Sequence, residues 1–197
     1  MSTVYTGRLE ADKLNINAAE LARRLHTTPD FRDDVVDRCH AELVKNSECK
    51  FAWIRVPVRK NGNRIDLGFG EFVSADLMKN LAGCDEAFVF AVTLGLQSER
   101  LLIRESLLSE SRHFITDAVA SALAEAACDE AERRIKCELP CRPRFSPGYG
   151  DLPLEIQPDV LRLLSAEKLL GITINESLLM TPSKSITAIM GIKNEKA

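Results

Sequence analysis

The sequence predicts an α+β protein, and three observations point to this class. Residues 17–46 carry two helical patterns of apolar side chains, and an alanine-rich helical pattern extends from Ser111 to about Lys136. Between them, the continuous apolar run EAFVFAVTLG starts at Glu86 and ends in glycine, which is typical of a buried central strand. Long helical segments beside a buried strand indicate a mixed fold.

Length and composition indicate one soluble unit. A chain of 197 residues can bury a sizeable core, and 45% hydrophobic beside 28% charged residues is typical of soluble proteins. No charge block or low-complexity tract marks a linker, so residues 1–85 and residues 86–197 are expected to form one domain. Because no apolar run could span a bilayer and the residues MSTVYTGRLEADK lack a basic region followed by an apolar stretch, we expect a cytoplasmic protein without a membrane partner. A formal net charge of −3 gives no electrostatic reason to bind nucleic acid.

Capping and turn residues predict the N-terminal elements, which are helices followed by a hairpin. The two helical patterns of residues 17–46 separate at Thr27–Asp30, where a threonine cap and Pro29 at the first helical position predict the start of the second helix. Two β-prone runs, FAWIRVPVRK and NRIDLGFGEF, flank Asn61 and Gly62, a pair typical of a hairpin turn.

The remaining elements follow from the same signals. They are a helix from Ser74 to Leu81, the central strand ended by Gly95, a helix from Gln97 to Leu108, the alanine-rich helix, an amphipathic helix from Gln157 to Leu170 capped by Gly171, and two strand-like runs, ITINESLLM and SITAIMGI. The small side chains of the alanine-rich helix let it pack very close to its neighbours.

Cysteine spacing predicts neither disulfides nor a metal site. The six cysteines, at positions 39, 49, 84, 128, 137 and 141, show no C-x-x-C spacing, and the three histidines are scattered. In a cytoplasmic protein this pattern indicates free thiols.

The stretch RPRFSPGYGDLPL, residues 142–154, concentrates arginine, proline, glycine and tyrosine in a segment too polar for a core. Gly148 and Gly150 permit positive φ angles or the close approach of a ligand, and Tyr149 lies between them. Arg144 supplies a planar fork of donors suited to a carboxylate or phosphate. The segment therefore predicts a preshaped anion-binding turn, and an ordinary turn with an aromatic lid is the alternative.

A polar stripe runs along the alanine-rich helix. Asp117, Ser121 and Glu125 are spaced four residues apart and therefore lie on one face. The stripe is either an exposed face or the wall of a pocket in which Glu125 meets a ligand. A carboxylate at 125 and a guanidinium at 144 that converge on one site would suit a zwitterion, such as a nucleoside with an amino-acid tail.

At these residues the sequence resembles the activation domain of cobalamin-dependent methionine synthase, including its free-standing form. The family's R-x-x-x-G-Y loop stands here as Arg144-Phe-Ser-Pro-Gly148-Tyr149. The likeness continues, in the family's order and spacing, through Ala166-Glu167-Lys168, Gly171, Glu176-Ser177, Met180-x-Pro182 and Ser185-Ile186-Thr187. The segment Leu123-Ala124-Glu125-Ala126 and the strand Ala91-Val92-Thr93-x-Gly95 are also similar.

The resemblance implies a bent, mainly antiparallel sheet flanked by helices, with S-adenosylmethionine on its surface. The resemblance also implies that this chain has no catalytic residue. Arg144 would hold the ligand carboxylate, Glu125 another polar end, and Ser146 would offer its backbone. Gly148 would let the chain approach the ligand, and Tyr149 would lie near the ligand or the corrin.

The function implied by the resemblance is that of an accessory subunit in methionine biosynthesis or another one-carbon pathway. A cobalamin carried by a partner, either a corrinoid-binding protein or a methionine synthase subunit, would be remethylated from cob(II)alamin. S-adenosylmethionine would supply the methyl group, and a flavodoxin-like or ferredoxin-like donor the electron.

Two alternatives stay open at this point. The chain could be a non-catalytic docking module for a corrinoid protein with weakened or lost S-adenosylmethionine binding, because two further ligand contacts of the family's long form have no assigned counterpart here. It could also be a structural or regulatory protein whose glycine-rich turn binds another small anion.

Overall fold

The computed structural model describes residues 3–31 and 33–194, which contain nine strands and seven α-helices. The strands are β1 (Tyr5–Arg8), β2 (Lys50–Pro57), β3 (Arg59–Asn61), β4 (Arg64–Asp66), β5 (Glu71–Val73), β6 (Cys84–Thr93), β7 (Thr173–Ile174), β8 (Met180–Thr181) and β9 (Ser185–Lys193). The helices are α1 (Ala18–Leu25), α2 (Asp34–Lys45), α3 (Ala75–Asn80), α4 (Leu96–Leu108), α5 (Glu110–Lys136), α6 (Gln157–Leu163) and α7 (Ala166–Leu170).

The main sheet has four strands in the order β1-β2-β6-β9, and each neighbouring pair is antiparallel. Two smaller antiparallel sheets, β3-β4-β5 and β7-β8, lie outside it. An antiparallel sheet flanked by helices, with an N-terminal helical segment, confirms the α+β class expected from the sequence.

From Ala87 to Val92 the interior strand β6 is apolar, because helices cover both faces of the sheet. Alternate side chains point to opposite faces of a strand. Phe88, Phe90 and Val92 enter the core formed with α2, α4 and α5, while Ala87 and Val89 enter the core formed with α3, α6 and α7. The predicted central strand is therefore confirmed, and its continuous hydrophobicity reflects two separate cores.

The long helix α5 packs against that first core through its small side chains. Ala120, Leu123 and Ala127 are fully buried, and α5 contacts α1, α2, α4 and β6. Alanine at these positions brings the helix backbone close to its neighbours, as the sequence predicts. Cys128 is buried in the same face, and all six cysteines are free thiols.

The N-terminal segment differs from the prediction in two places. The strand β1, which the sequence analysis misses, is a short and mostly exposed edge strand. The second helix begins at Asp34 rather than at Pro29, because the Asp33 side chain accepts the hydrogen bond of the Val35 N–H and caps it. The threonine and proline signal lies in the preceding turn.

The hairpin prediction is confirmed, but the turn lies one residue later and the strands differ. Asn61 pairs with Arg64, so the turn consists of Gly62, with a φ of 58°, and Asn63. Most of the run FAWIRVPVRK forms β2, which pairs with β1 and β6 instead of the hairpin partner.

The helix predicted from Gln157 to Leu170 is two helices. Ser165 has a φ of 49°, so the backbone leaves the helical region between α6 and α7. Gly171 caps α7 as predicted, with its N–H donating to the carbonyls of Ala166 and Glu167. Of the two strand-like runs, the first contributes only the short β7 and the start of β8, whereas the second forms the full-length β9.

Among the described residues, no helix combines the length and apolarity that crossing a bilayer needs. The same part of the chain holds no group of three or more histidine, cysteine or acidic side chains placed to bind a metal ion.

Replacing Phe90 by alanine should lower the free energy of unfolding by about 3–5 kcal/mol, because the ring is fully buried in the centre of the sheet. Urea unfolding followed by circular dichroism measures the change. Leu107→Ala is the matched control, since Leu107 is 82% exposed and its loss should cost less than about 0.5 kcal/mol. Equal costs for the two variants would contradict the assigned core.

Candidate functional site

A cleft of about 480 Å³ opens beside the N-terminal half of β9. Its walls come from α5, from residues 144–149, from the start of α6 and from residues 178–187. Four of the five predicted site residues line it, namely Glu125, Arg144, Ser146 and Tyr149. The fifth, Gly148, lies in the same loop but not in the lining.

The segment before the loop is held against β9 like an additional edge strand. Phe145 and Ile189 exchange two main-chain hydrogen bonds of 2.8 Å, and Cys141 forms a further bridge with Ile192. The Arg142 side chain also donates to the carbonyl of Ala82. These contacts fix where Arg144 leaves the sheet.

The loop itself is a compact turn. The Tyr149 N–H donates to the Ser146 carbonyl at 3.1 Å, and the Leu152 N–H donates to the Tyr149 carbonyl at 3.0 Å. Gly148 has a φ of 83°, a conformation that side chains disfavour, and its N–H donates to the Leu152 carbonyl. The Tyr149 ring is 68% exposed at the mouth of the cleft.

Asp151 ties this turn to α3, a role that the sequence analysis misses. Its carboxylate accepts hydrogen bonds from the Ser74 hydroxyl, from the Ala75 N–H at 2.6 Å and from the Asp76 N–H at 3.1 Å. The bond from Ser74, followed by that from Ala75, lowers the pKa of Asp151. A carboxylate just after a glycine-rich turn is the only sequence signal for this contact.

Arg144 meets three carboxylates of α5 directly. One terminal nitrogen, Nη2, donates to Glu125 at 2.9 Å, while Nη1 donates to Asp129 at 2.6 Å and to Glu132 at 3.0 Å. The sequence analysis anticipates that Glu125 and Arg144 share one site but not that they form an ion pair. It also misses Asp129 and Glu132, which stand one and two turns further along the helix.

Burial and charge act in opposite directions on Arg144, whose side chain is 27% exposed. Partial burial disfavours its charged form, but the hydrogen bonds and charges of Asp129 and Glu132 outweigh that effect and raise the pKa of Arg144. Burial raises the pKa of the neighbouring Cys128 to about 12, so this thiol stays protonated at neutral pH.

The charge balance of this cluster favours a ligand with both signs of charge. Three carboxylates surround one guanidinium, so an ammonium group would find acceptors there. The Nε–H of Arg144 has no acceptor among residues 3–31 and 33–194, and it remains available to a ligand carboxylate. An amino-acid group satisfies both requirements.

The polar stripe on α5 is half-exposed, and Lys184, the residue before β9, covers part of it. Lys184, only 14% exposed, pairs with Asp117 at 2.7 Å and donates to the Ser121 hydroxyl at 2.9 Å. Of the three residues of the stripe, Glu125 lines the cleft and Asp117 and Ser121 do not, so the interpretation as a wall applies to Glu125. Lys184 carries no distinguishing sequence signal, because its partners are on a distant helix.

A buried polar pair forms the floor of the cleft. Gln157 and Thr187 are 2% and 3% exposed, and their side chains hydrogen-bond to each other at 2.8 Å and 3.0 Å. Both residues line the cleft. The sequence analysis misses this pair, although a glutamine at the start of an amphipathic helix is its visible signal.

No protein-family model and no curated protein matches the chain. Among solved structures, it is similar to the crystal structure of the MetH reactivation domain bound to AdoHcy. The TM-score is 0.74 at 17% sequence identity, and the match covers 99% of this chain and 80% of that chain. This chain has the fold of that domain.

The shared fold confirms the architecture implied by the family resemblance. At this level of identity the likeness is one of fold, so the roles of Glu125, Arg144, Ser146, Gly148 and Tyr149 in binding a ligand stay predictions. The geometry adds that four of them line one cleft.

Replacing Asp151 by asparagine should make the stability of the protein less dependent on acid pH. The folded pKa of Asp151 is below the ordinary value of about 3.9, so its ionised form stabilises the fold above that pH. The contribution is lost as the pH falls through the folded pKa. Thermal unfolding between pH 7 and pH 3 should therefore give a smaller acid-induced fall for the variant.

Asp159→Asn is the matched control, because among the described residues Asp159 forms an ion pair only with the exposed Arg162 on α6. Its acid-induced fall should equal that of the unmodified protein. A fall as steep in the Asp151 variant as in this control would contradict the capping role.

Proposed function

We propose that this protein binds S-adenosylmethionine and acts as the activation subunit of a cobalamin-dependent methyltransferase, most simply a split methionine synthase. The observation that carries the proposal is the cleft in which Arg144, Glu125, Ser146 and Tyr149 meet. It lies on a fold shared with a reactivation domain that was crystallised with AdoHcy, the product left when S-adenosylmethionine loses its methyl group.

In this proposal the cluster on α5 holds the amino-acid end of the ligand. The free Nε–H of Arg144 donates to the ligand carboxylate, and Glu125 with its neighbouring carboxylates accepts from the ammonium group. The main chain at Ser146 and the turn at Gly148 border the nucleoside, and Tyr149 stands at the mouth of the cleft. The ligand would therefore lie with its charged end deep against the helix.

The chemistry asks the protein for orientation rather than for acid or base catalysis. The bound sulfonium supplies a methyl group, which with one electron converts cob(II)alamin on the partner to methylcobalamin and leaves S-adenosylhomocysteine. The chain's own residues hold the donor and limit access of water to it. The exposed Tyr149 ring borders the side of the cleft from which a corrinoid would approach.

Three partners belong to the proposal. They are a corrinoid-binding protein or methionine synthase subunit, its cobalamin, and a flavodoxin-like or ferredoxin-like electron donor in the cytoplasm. Reconstitution tests the whole arrangement. The visible spectrum of the corrinoid protein should change from cob(II)alamin to methylcobalamin only when this protein, a reductant and S-adenosylmethionine are all present. The same change without this protein would refute the proposal.

A non-catalytic docking role is the second candidate, and one specific observation favours it. Arg144 already has three carboxylate partners, which compete with the carboxylate of a ligand for the same guanidinium. A docking module would bind the corrinoid protein without binding S-adenosylmethionine. Titration calorimetry with S-adenosylmethionine separates the two candidates.

Replacing Arg144 by alanine should weaken S-adenosylmethionine binding about tenfold or more, because it removes a charge-assisted hydrogen bond to the ligand and the cation that pairs with Glu125 and Asp129. Isothermal titration calorimetry measures the dissociation constant. Arg144→Lys keeps the charge but loses the fork, and a comparable loss is expected from it.

Arg162→Ala serves as the control, since that arginine is exposed on α6 and pairs only with Asp159. Its affinity should equal that of the unmodified protein. Unchanged binding in both Arg144 variants would overturn the assignment of the carboxylate site.

A further inference from the structure

Along the outer edge of β9, the main-chain hydrogen-bonding groups are paired in the C-terminal half of the strand and unpaired at Thr187. Hydrogen bonds along a strand alternate between its two edges. The main-chain groups that face away from β6 are paired at three successive positions: Ile189 with Phe145, Gly191 with Arg142 and Lys193 with Pro140. By the same alternation, the N–H and C=O of Thr187 point to this outer edge.

The pairing stops at Thr187 for a reason that the sequence contains. With Phe145 opposite Ile189, a continued antiparallel register would bring Pro147 opposite Thr187. Proline has no N–H to donate, so it cannot continue the ladder. The chain instead turns away at the Ser146–Tyr149 hydrogen bond.

The main chain of Thr187 is consequently left with an unpaired donor and an unpaired acceptor. Neither its N–H nor its C=O has a hydrogen-bond partner within residues 3–31 and 33–194. Thr187 is only 3% exposed, and buried main-chain groups are almost always paired. Because Ser185, Ile186 and Thr187 line the cleft, these two groups face the volume that a ligand would fill.

The side chain of Thr187 makes this edge rigid. Its hydroxyl is hydrogen-bonded to Gln157, which is itself buried at the start of α6. Two residues earlier in β9, the Ser185 hydroxyl is hydrogen-bonded to the Thr93 hydroxyl and to the Pro182 carbonyl. The open donor and acceptor are thus fixed in place before any ligand arrives.

We propose that the main-chain N–H and C=O of Thr187 recognise the base of the ligand and select a 6-aminopurine. The N–H donates to a ring nitrogen, and the C=O accepts from the neighbouring 6-amino group. This inference rests on the proposed binding of S-adenosylmethionine. It assigns the groups of the cleft that form hydrogen bonds with the adenine. The Arg144 cluster and Thr187 then hold the two ends of one ligand.

The arrangement selects against 6-oxopurines. Hypoxanthine carries a carbonyl at position 6 and a hydrogen on the adjacent ring nitrogen, so its edge is the reverse of adenine's. Against Thr187 it would oppose donor to donor and acceptor to acceptor, and two buried main-chain groups would stay unpaired. Side-chain readout of the base is not required, because a main-chain pair suffices.

The test compares S-adenosylhomocysteine with S-inosylhomocysteine, which differ only in the base. Calorimetry should give at least about a tenfold weaker affinity for the inosyl compound. In ¹⁵N-labelled protein, the Thr187 amide resonance should shift with S-adenosylhomocysteine and with adenosine, which lacks the amino-acid tail. The amide of Lys193, which is paired with Pro140, is the internal control and should not move.

The outcomes separate this inference from the proposed function. Equal affinity for the two compounds, or a Thr187 amide that does not respond, would overturn the inference while corrinoid reactivation could still be observed. Discrimination between the bases together with failed reactivation would support the inference and refute the proposed function. Failure of both compounds and of adenosine to bind would overturn both.

Discussion

The cleft depends on one pair of main-chain hydrogen bonds, those that Phe145 and Ile189 exchange at the edge of the sheet. They anchor the segment that carries Arg144, and they are the last main-chain pairing of that segment with β9 before Pro147. Main-chain pairing of the outer β9 edge therefore extends from Lys193 to Ile189 and does not include Thr187. Everything that lines the cleft is positioned relative to this point.

The second constraint is electrostatic and comes from α5. Its inward face is nearly all small and apolar, which allows close packing on the sheet, while Glu125, Asp129 and Glu132 stand at its border. Arg144, together with Lys136 on Glu132, neutralises part of this charge, and the ammonium group of a ligand would pair with the carboxylate charge that remains. One face of α5 therefore packs in the core, and the residues at the border of that face contact the cleft.

The fold and the proposed function are supported by different observations. The TM-score of 0.74 over nearly the whole chain establishes a common architecture with the MetH reactivation domain in spite of 17% identity. The proposed function comes from the cleft, where the loop residues of the family motif meet the polar flank of α5. Within the proposed function, binding of S-adenosylmethionine and docking on a corrinoid protein can be measured independently of each other.

The sequence by itself determined the elements whose signals are local. The apolar run of β6, the alanines of α5 and the hairpin turn at Gly62 follow from periodicity and backbone preference, and the family motif places Arg144 and Tyr149 in one loop. Tertiary structure alone decided the contacts between distant segments. The three carboxylates around Arg144, the anchoring of Lys184 on α5, the cap of α3 by Asp151 and the Gln157–Thr187 pair depend on strand order and register. A side chain's partner across the fold leaves no periodic trace in the chain, because it is set by packing of whole elements and not by the residues next to it.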